Sequence, residues 1–348
     1  MKRNSIVRLG VALGAVGLLA GCSTVGGGGA QGGDPDGGEA LAPEDMTMVT
    51  VVKVQGVGWF DRMEIGVQEF AEESGVDARQ EGADDASPEK QVQIIQDLIP
   101  QAPTAITVVP NSPEALSSVL GQAQAQGIIT VAHEAAGIEN VDVDIEAFDN
   151  ISYGELIMEN LAECMDEEGQ YISFVGGLTA KTHMDWVQGA QDLQLAEYPD
   201  MERVEDPVES KEDENVAYQR TKELLAKHPD LTGIQGSAGT DVAGAARAVE
   251  EAGLTDEVCV MGTSIPSVAR EYVMDGSIDK IFFWDPAAAG KAQLKIAQLL
   301  AEGEEIAEGT DLGIEGYESL SKLDGFDNVF VGDAAVVLDE STIDDYDF

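Results

Sequence analysis

The sequence predicts an α/β protein built as two doubly wound parallel-sheet lobes with a hinged cleft between them. Three observations carry that expectation. Short β-branched apolar runs alternate with stretches of helical period from Asp45 almost to the last residue, the pattern of strand–helix units in a parallel sheet. Ser-Pro-Glu occurs at Ser87-Pro88-Glu89 and again at Ser112-Pro113-Glu114, each time opening a helix with serine as cap and proline in the first position. A polar connector from Glu134 to Asp149 divides the alternation into two similar series.

In order, Val49–Val54 reads as a buried strand and Met63–Ser74 as the helix after it. Val76–Glu81 is a short strand. The helix opened at Ser87 continues through Val92, Ile95 and Leu98, and Ala105–Val109 is a strand closed by Pro110. Leu116, Val119, Leu120 and Ala123 mark one face of the next helix, before the strand Ile128–Ala132. Val141–Ile145 alternates apolar and acidic residues, as a half-exposed strand would. The second series follows: helices over Tyr153–Met165, Trp186–Glu197, Val216–Lys227, Val242–Ala252 and Ser267–Met274, with strands at Tyr171–Val175, Met201–Val204, Leu231–Gly236, Val258–Gly262 and Ile278–Trp284. A further helix, Gly290–Ala301, and two short strands, Asn328–Val331 and Ala335–Leu338, complete the chain. The chain is expected to cross between lobes near Ala147–Asn150, near Trp284–Asp285 and in the tail after Tyr317, so that the cleft closes by hinge motion. The expected lobes are 46–148 plus about 285–325, and 149–284 plus about 326–348.

The first 21 residues stand apart. Lys2, Arg3 and Arg8 precede an apolar run, Leu9 to Ala20, that is too short for a mature membrane span. It ends Leu19-Ala20-Gly21-Cys22, which resembles a bacterial lipoprotein signal: cleavage before Cys22 and a diacylglycerol on its sulfur. An ordinary signal peptide with an incidental cysteine is the alternative. Residues 22–45 are rich in glycine and read as a flexible tether. The other cysteines, Cys164 and Cys259, show neither CxxC spacing nor neighbouring histidines, and two buried free thiols are expected rather than a disulfide.

With 66 acidic against 19 basic residues the net charge is −47, and about −50 once Lys2, Arg3 and Arg8 are removed. Such a field repels nucleic acid. The acidic runs, Glu212–Glu214 among them, read as solvated faces, and none has the spacing of an EF-hand loop.

Candidate site residues cluster at predicted strand ends, where open α/β sheets bind ligands. The first turn, Lys53-Val54-Gln55-Gly56-Val57-Gly58-Trp59-Phe60, lacks the third glycine of a dinucleotide fingerprint. Its Trp59 and Phe60 instead offer apolar faces suited to a sugar ring, with core packing as the alternative. Glu134, after the fourth strand, is a carboxylate able to accept hydroxyl hydrogen bonds. Thr182 and His183 open a helix of the second series, and Ser237 and Gly239 end another strand. Asp285 sits at a predicted crossing. No HExxH, GxSxG or clustered ligand set occurs, so neither an enzyme nor a metal or cofactor site is expected.

From about Asp45 to Phe348 the chain resembles the type 1 periplasmic sugar-binding proteins of bacterial ABC importers, in particular the branch that binds autoinducer-2 and its rhamnose-binding relatives. The resemblance rests on Lys53 to Phe60, on Gly262-Thr263-Ser264-Ile265-Pro266-Ser267-Val268, on Phe283-Trp284-Asp285 and on Tyr346-Asp347-Phe348. It implies that Lys53 contacts ligand. It also implies that Glu134 stands where that branch has an aspartate, Thr182-His183 where it has Asp-Gln, and Ser237 and Gly239 where it has proline and alanine. The implied protein is a non-enzymatic, exported, lipid-anchored receptor on the outer face of the cell membrane. It binds a small sugar or autoinducer-2 without a cofactor and delivers it to an ABC permease. The alternative role is a sensor reporting the same ligands to a chemoreceptor or kinase.

Overall fold

The computed structural model describes residues 41–348. The expected signal at 1–21, Cys22 and the tether up to residue 40 lie outside them; Pro43–Asp45, at the tether's end, forms one 3-10 turn. No helix among the described residues is long and apolar enough to cross a membrane.

The first lobe opens with β1 (Thr47–Val52) and α1 (Gly58–Ser74). α1 starts before Met63, taking Trp59 and Phe60 into its first turn, and stops at Gly75, whose φ of 80° suits a residue without a side chain. There follow β2 (Asp77–Gly82), α2 (Pro88–Leu98), β3 (Ala105–Val108), α3 (Pro113–Gln124), β4 (Ile129–His133) and β5 (Val143–Glu146). Both expected caps form: the hydroxyls of Ser87 and Ser112 accept from the N–H groups of Lys90 and Ala115, each at 3.3 Å.

The second lobe holds α4 (Asn150–Cys164), β6 (Glu168–Val175), α5 (Lys181–Glu197), β7 (Asp200–Arg203), β8 (Val208–Glu209), α6 (Glu214–Lys227) and β9 (Leu231–Gly236). It continues through α7 (Asp241–Ala252), β10 (Cys259–Thr263), α8 (Pro266–Asp275) and β11 (Lys280–Phe283). The chain then returns to the first lobe with α9 (Pro286–Ala301), β12 (Ser321–Lys322) and β13 (Val329–Val331), and ends in the second with β14 (Val336–Leu338).

Two seven-stranded sheets result. The first runs β12-β13-β5-β4-β3-β1-β2; the second runs β14-β11-β10-β9-β6-β7, with β8 beside β6. All pairs are parallel except β12 with β13 and β11 with β14. Both sheets therefore contain the doubly wound order 2-1-3-4-5, whose switch point lies beside the first strand. Helix packing completes each lobe. A Cβ on Gly66 of α1 would lie 2.1 Å from the Ala287 carbonyl of α9, and one on Gly154 of α4 would lie 2.1 Å from the Trp186 carbonyl of α5. Only glycine permits either approach.

Three crossings join the lobes, at Ala147–Asp149, at Trp284–Asp285 and between β13 and β14. The third lies against the first: the N–H groups of Gly332 and Ala334 donate to the carbonyls of Glu146 and Ala147 at 2.9 and 3.1 Å. One apolar cluster spans both lobes through Trp59, Phe148, Trp186 and Trp284. A second, including Val49, Ile106, Leu116 and Leu120, covers the other face of the first sheet.

Three expectations need correction. β13 (Val329–Val331) pairs in parallel with β5, so the first lobe extends past residue 325 and the tail changes lobe only after Val331. β5 is buried along its whole length, Asp144 and Glu146 included, because β4 and β13 flank it. Cys164 and Cys259 are bonded as a disulfide. The end of α4 meets the start of β10 with a Cα–Cα distance of 6.2 Å, within the range a disulfide spans, whatever their separation in sequence.

Candidate functional site

The switch points of the two sheets face each other, and the residues following their strands meet between the lobes. Lys53 leaves the end of β1 and Glu134 follows β4. They form an ion pair whose side chains are only 3% and 4% exposed. Glu134 has a φ of 59°, a left-handed conformation that a residue with a side chain holds only where its surroundings enforce it. His183, in the first turn of α5, reaches across from the second lobe and places its Nε2 3.3 Å from the Lys53 ammonium.

The tautomer of His183 follows from its other nitrogen. Both ring nitrogens face donors, the Gly176 N–H at 3.1 Å from Nδ1 and the Lys53 ammonium at 3.3 Å from Nε2. Lys53 is paired with Glu134, so satisfying the buried Gly176 N–H places the ring proton of the neutral imidazole on Nε2. Burial, with the Lys53 charge adding to it, holds the His183 pKa well below its usual value and keeps the ring neutral. Two donors, the His183 Nε2–H and the Lys53 ammonium, therefore face one point in the cleft. Burial alone would lower the Lys53 pKa, but the charges of Glu134 and Glu212 and the Glu134 hydrogen bond raise it.

His133 has the opposite tautomer. Its Nδ1–H donates to the Ile145 carbonyl at 2.6 Å, and its Nε2 accepts from the Trp284 indole at 3.2 Å. Both nitrogens are used, and the ring ties β4 and β5 to the second crossing. Burial lowers its pKa.

Of the expected residues, Lys53, Trp59, Phe60, Glu134, His183, Ser237 and Gly239 line one small cavity. Trp59 meets Trp284 edge-on with ring centroids 4.6 Å apart, and His183 stacks on Trp186 at 5.0 Å. The buried Ser237 hydroxyl has no hydrogen-bond partner. A Cβ on Gly239 would lie 3.2 Å from the Trp59 ring, so its bareness lets the lobes close to contact. The lobes are also joined by the Thr179 hydroxyl, which donates to the Asn111 carbonyl at 3.1 Å. In this closed arrangement the cavity volume is about 10 Å³, roughly one water.

Two expected residues lie elsewhere. Thr182 is buried beside the cavity without lining it. Because α5 begins at Lys181, the first helical turn sends His183 rather than its neighbour to the cleft. Asp285 is taken up by structure. It accepts from Arg62 at 2.9 and 2.7 Å and caps α9 by accepting from the Ala287 N–H at 2.9 Å.

Four wall residues were not anticipated as site residues: Trp186, Glu212, Thr263 and Trp284. Trp284 stands at the expected crossing itself, and Trp186 opens an expected helix. The Thr263 hydroxyl is 3.2 Å from the Tyr153 hydroxyl. Glu212 belongs to an acidic run read as a solvated face, yet it lines the cavity as a half-buried side chain, and the desolvation there pushes its carboxyl up to about 7 against the opposing effect of Lys53. Behind Glu134, Asp144 and Glu146 are also pushed up, first by burial. The site thus holds one ammonium among several carboxylates under aromatic walls. It offers donors and acceptors to a hydroxylated molecule and no compensation for an added negative charge. The grouping of metal-ligand types among the described residues, Cys164, Cys259 and Asp279, is remote from the cleft, and its two sulfurs are bonded to each other.

Residues 48–305 match the family described as periplasmic binding protein domain. Among solved structures, LsrB from Clostridium saccharobutylicum in complex with AI-2 superposes with a TM-score of 0.81 at 20% identity, covering 87% of this chain and 100% of that one. An ABC transporter solute-binding protein from Clostridium phytofermentas with bound L-rhamnose also gives 0.81, at 18% identity over 86% and 98% of the two chains. A carbohydrate transporter solute-binding protein from Agrobacterium radiobacter in complex with D-arabinose gives 0.75, at 19% identity over 86% and 96%. These likenesses establish a shared fold, and with the family match over both lobes they identify the chain as a member of the periplasmic binding protein family.

Proposed function

We propose that the protein is a lipid-anchored solute receptor that closes on a small neutral sugar or autoinducer-2 and presents it to an ABC permease, without catalysing a reaction. The observation that carries this reading is the cleft itself. The Lys53–Glu134 pair faces the His183 Nε2–H across the interlobe gap, between aromatic walls. Lys53 and His183 donate to ligand oxygens, Glu134 accepts from a hydroxyl, and Ser237 offers a further hydroxyl. Trp59 or Phe60 covers the apolar face of the ring. The sugar and autoinducer-2 complexes known for proteins of the same fold support the ligand class.

With about 10 Å³ free in the closed form, entry requires the lobes to part about the three crossings. Ligand contacts made from both lobes then shift the population towards closure. Cys22 carries the lipid, and 22–45 holds the body away from the membrane.

The test is a thermal-shift screen of the full-length protein in detergent against pentoses, hexoses, deoxyhexoses and autoinducer-2. At a hundredfold excess over Kd, a true ligand stabilises by about 2.7 kcal/mol, a shift of roughly 5 °C or more. Silence across the panel would refute the sugar reading.

A further inference from the structure

The Lys211–Asp213 loop brings a carboxylate into the cleft from the side opposite Glu134. Lys211 and Glu212 have φ values of 61° and 56°, two successive left-handed residues that carry side chains. The loop is pinned to the end of β6: the Ser210 N–H donates to the Val175 carbonyl at 2.9 Å and the Lys211 N–H to the Gly176 carbonyl at 2.8 Å. On the far side Asp213 caps α6. Between these fixed points Glu212 turns inward over Gly176. A Cβ on that glycine would sit 2.2 Å from Glu212 Oε1 and 2.7 Å from its Cδ. Glycine at 176 therefore leaves the space that the carboxylate fills.

The two acids of the wall differ in how they are engaged. Glu134 is paired with Lys53. Glu212 feels Lys53, Asp241 and Glu134 through their charges only, and its carboxylate is engaged by no hydrogen bond among the described residues. It is an acceptor left open at the wall of a cavity whose ammonium, Lys53, is already paired with Glu134.

Resting on the receptor reading above, we propose that Glu212 is a specificity-determining residue of the cleft: it receives a ligand hydroxyl from the second lobe and selects neutral polyols over sugar acids. An uncharged hydroxyl supplies the donor that the carboxylate lacks. A uronate would place a second anion beside it, with Lys53 already engaged by Glu134.

Isothermal titration of the full-length protein provides the test. L-rhamnose, D-arabinose and autoinducer-2 serve as neutral probes, and D-galacturonate as the anionic one. Glu212→Gln keeps the shape and removes the charge. Gly176→Ala keeps the charge and displaces the carboxylate, and its Cβ, 3.1 Å from His183 Cε1, also presses on that ring, so Glu212→Gln is the deciding variant. Each should weaken the neutral probe that binds wild type by ~10-fold or more. Glu212→Gln should also narrow the gap between that probe and galacturonate, while leaving the ligand-free melting temperature no lower than wild type. A Glu212→Gln protein that binds the neutral probe as wild type does, or a Gly176→Ala effect without a Glu212→Gln effect, would overturn the proposal and leave the receptor reading standing. Binding of no neutral probe by wild type would overturn both.

Discussion

Lys53→Met removes the cation from the centre of the cleft while keeping most of its volume. The Lys53 and Glu134 side chains are 3% and 4% exposed, so the substitution strands the Glu134 carboxylate away from water, with Glu146 and Glu212 also having lost the positive charge that opposed them. Removing one partner of a buried ion pair costs about 3–5 kcal/mol. For a body of this size each kcal/mol lowers the melting temperature by roughly 2 °C, so a drop of about 6–10 °C is expected. The double variant Lys53→Met/Glu134→Gln removes the stranded charge as well and should recover most of the loss, since buried pairs replaced by neutral groups are often close to neutral in stability. Calorimetry on ligand-free protein at pH 7 measures all three proteins. A single variant melting within about 2 °C of wild type, or a double variant no more stable than the single, would refute the assignment of this pair as the electrostatic centre of the site.

Further outcomes follow, the first two from the structure and the last, on the proposed lipid anchor, from the sequence. Replacing both Cys164 and Cys259 with serine releases a constraint across 95 residues, worth about 4–5 kcal/mol in the chain-entropy account; denaturant titration checks this, and thiol labelling of unreduced, unfolded protein should find neither cysteine reactive. Stability should fall as pH rises from about 4 through 7, because Glu212 and Asp241 are pushed up to about 7 and about 6 by burial. A raised carboxyl contributes fully below its unfolded value and loses that contribution as pH climbs through its folded one. Melting curves in high salt, which screens the surface charge, should show the slope, and Glu212→Gln should reduce it. Cys22→Ser should move the protein from the membrane fraction to the soluble exported fraction, which fractionation and immunoblotting would detect.

The fold was legible where the signal is local. Ser87 and Ser112 announce their helices within four residues, and uninterrupted apolar runs mark strands buried on both faces. The first two crossings could be read from the chain because a strand series breaks at each. Features that depend on distant partners were not legible. The Cys164–Cys259 bond and the placement of β13 beside β5 arise only when the sheets assemble. In the cleft, strand ends led to Lys53, Glu134 and Ser237 and a helix start to His183, and all four line one cavity. Asp285 misled because Arg62, more than two hundred residues earlier, engages it. Glu212 was hidden by composition: among 66 acidic residues, one turned inward looks like the rest.

The aromatic wall has an optical consequence. The chain contains three tryptophans, and Trp59, Trp186 and Trp284 all line the cleft cavity. The indole emission of the whole protein therefore originates at the point where the lobes meet. When they part, water reaches rings that are at most 6% exposed when closed, and the emission shifts to longer wavelength. Opening and closing can be followed in the native protein by its own fluorescence, with neither label nor background from the rest of the molecule.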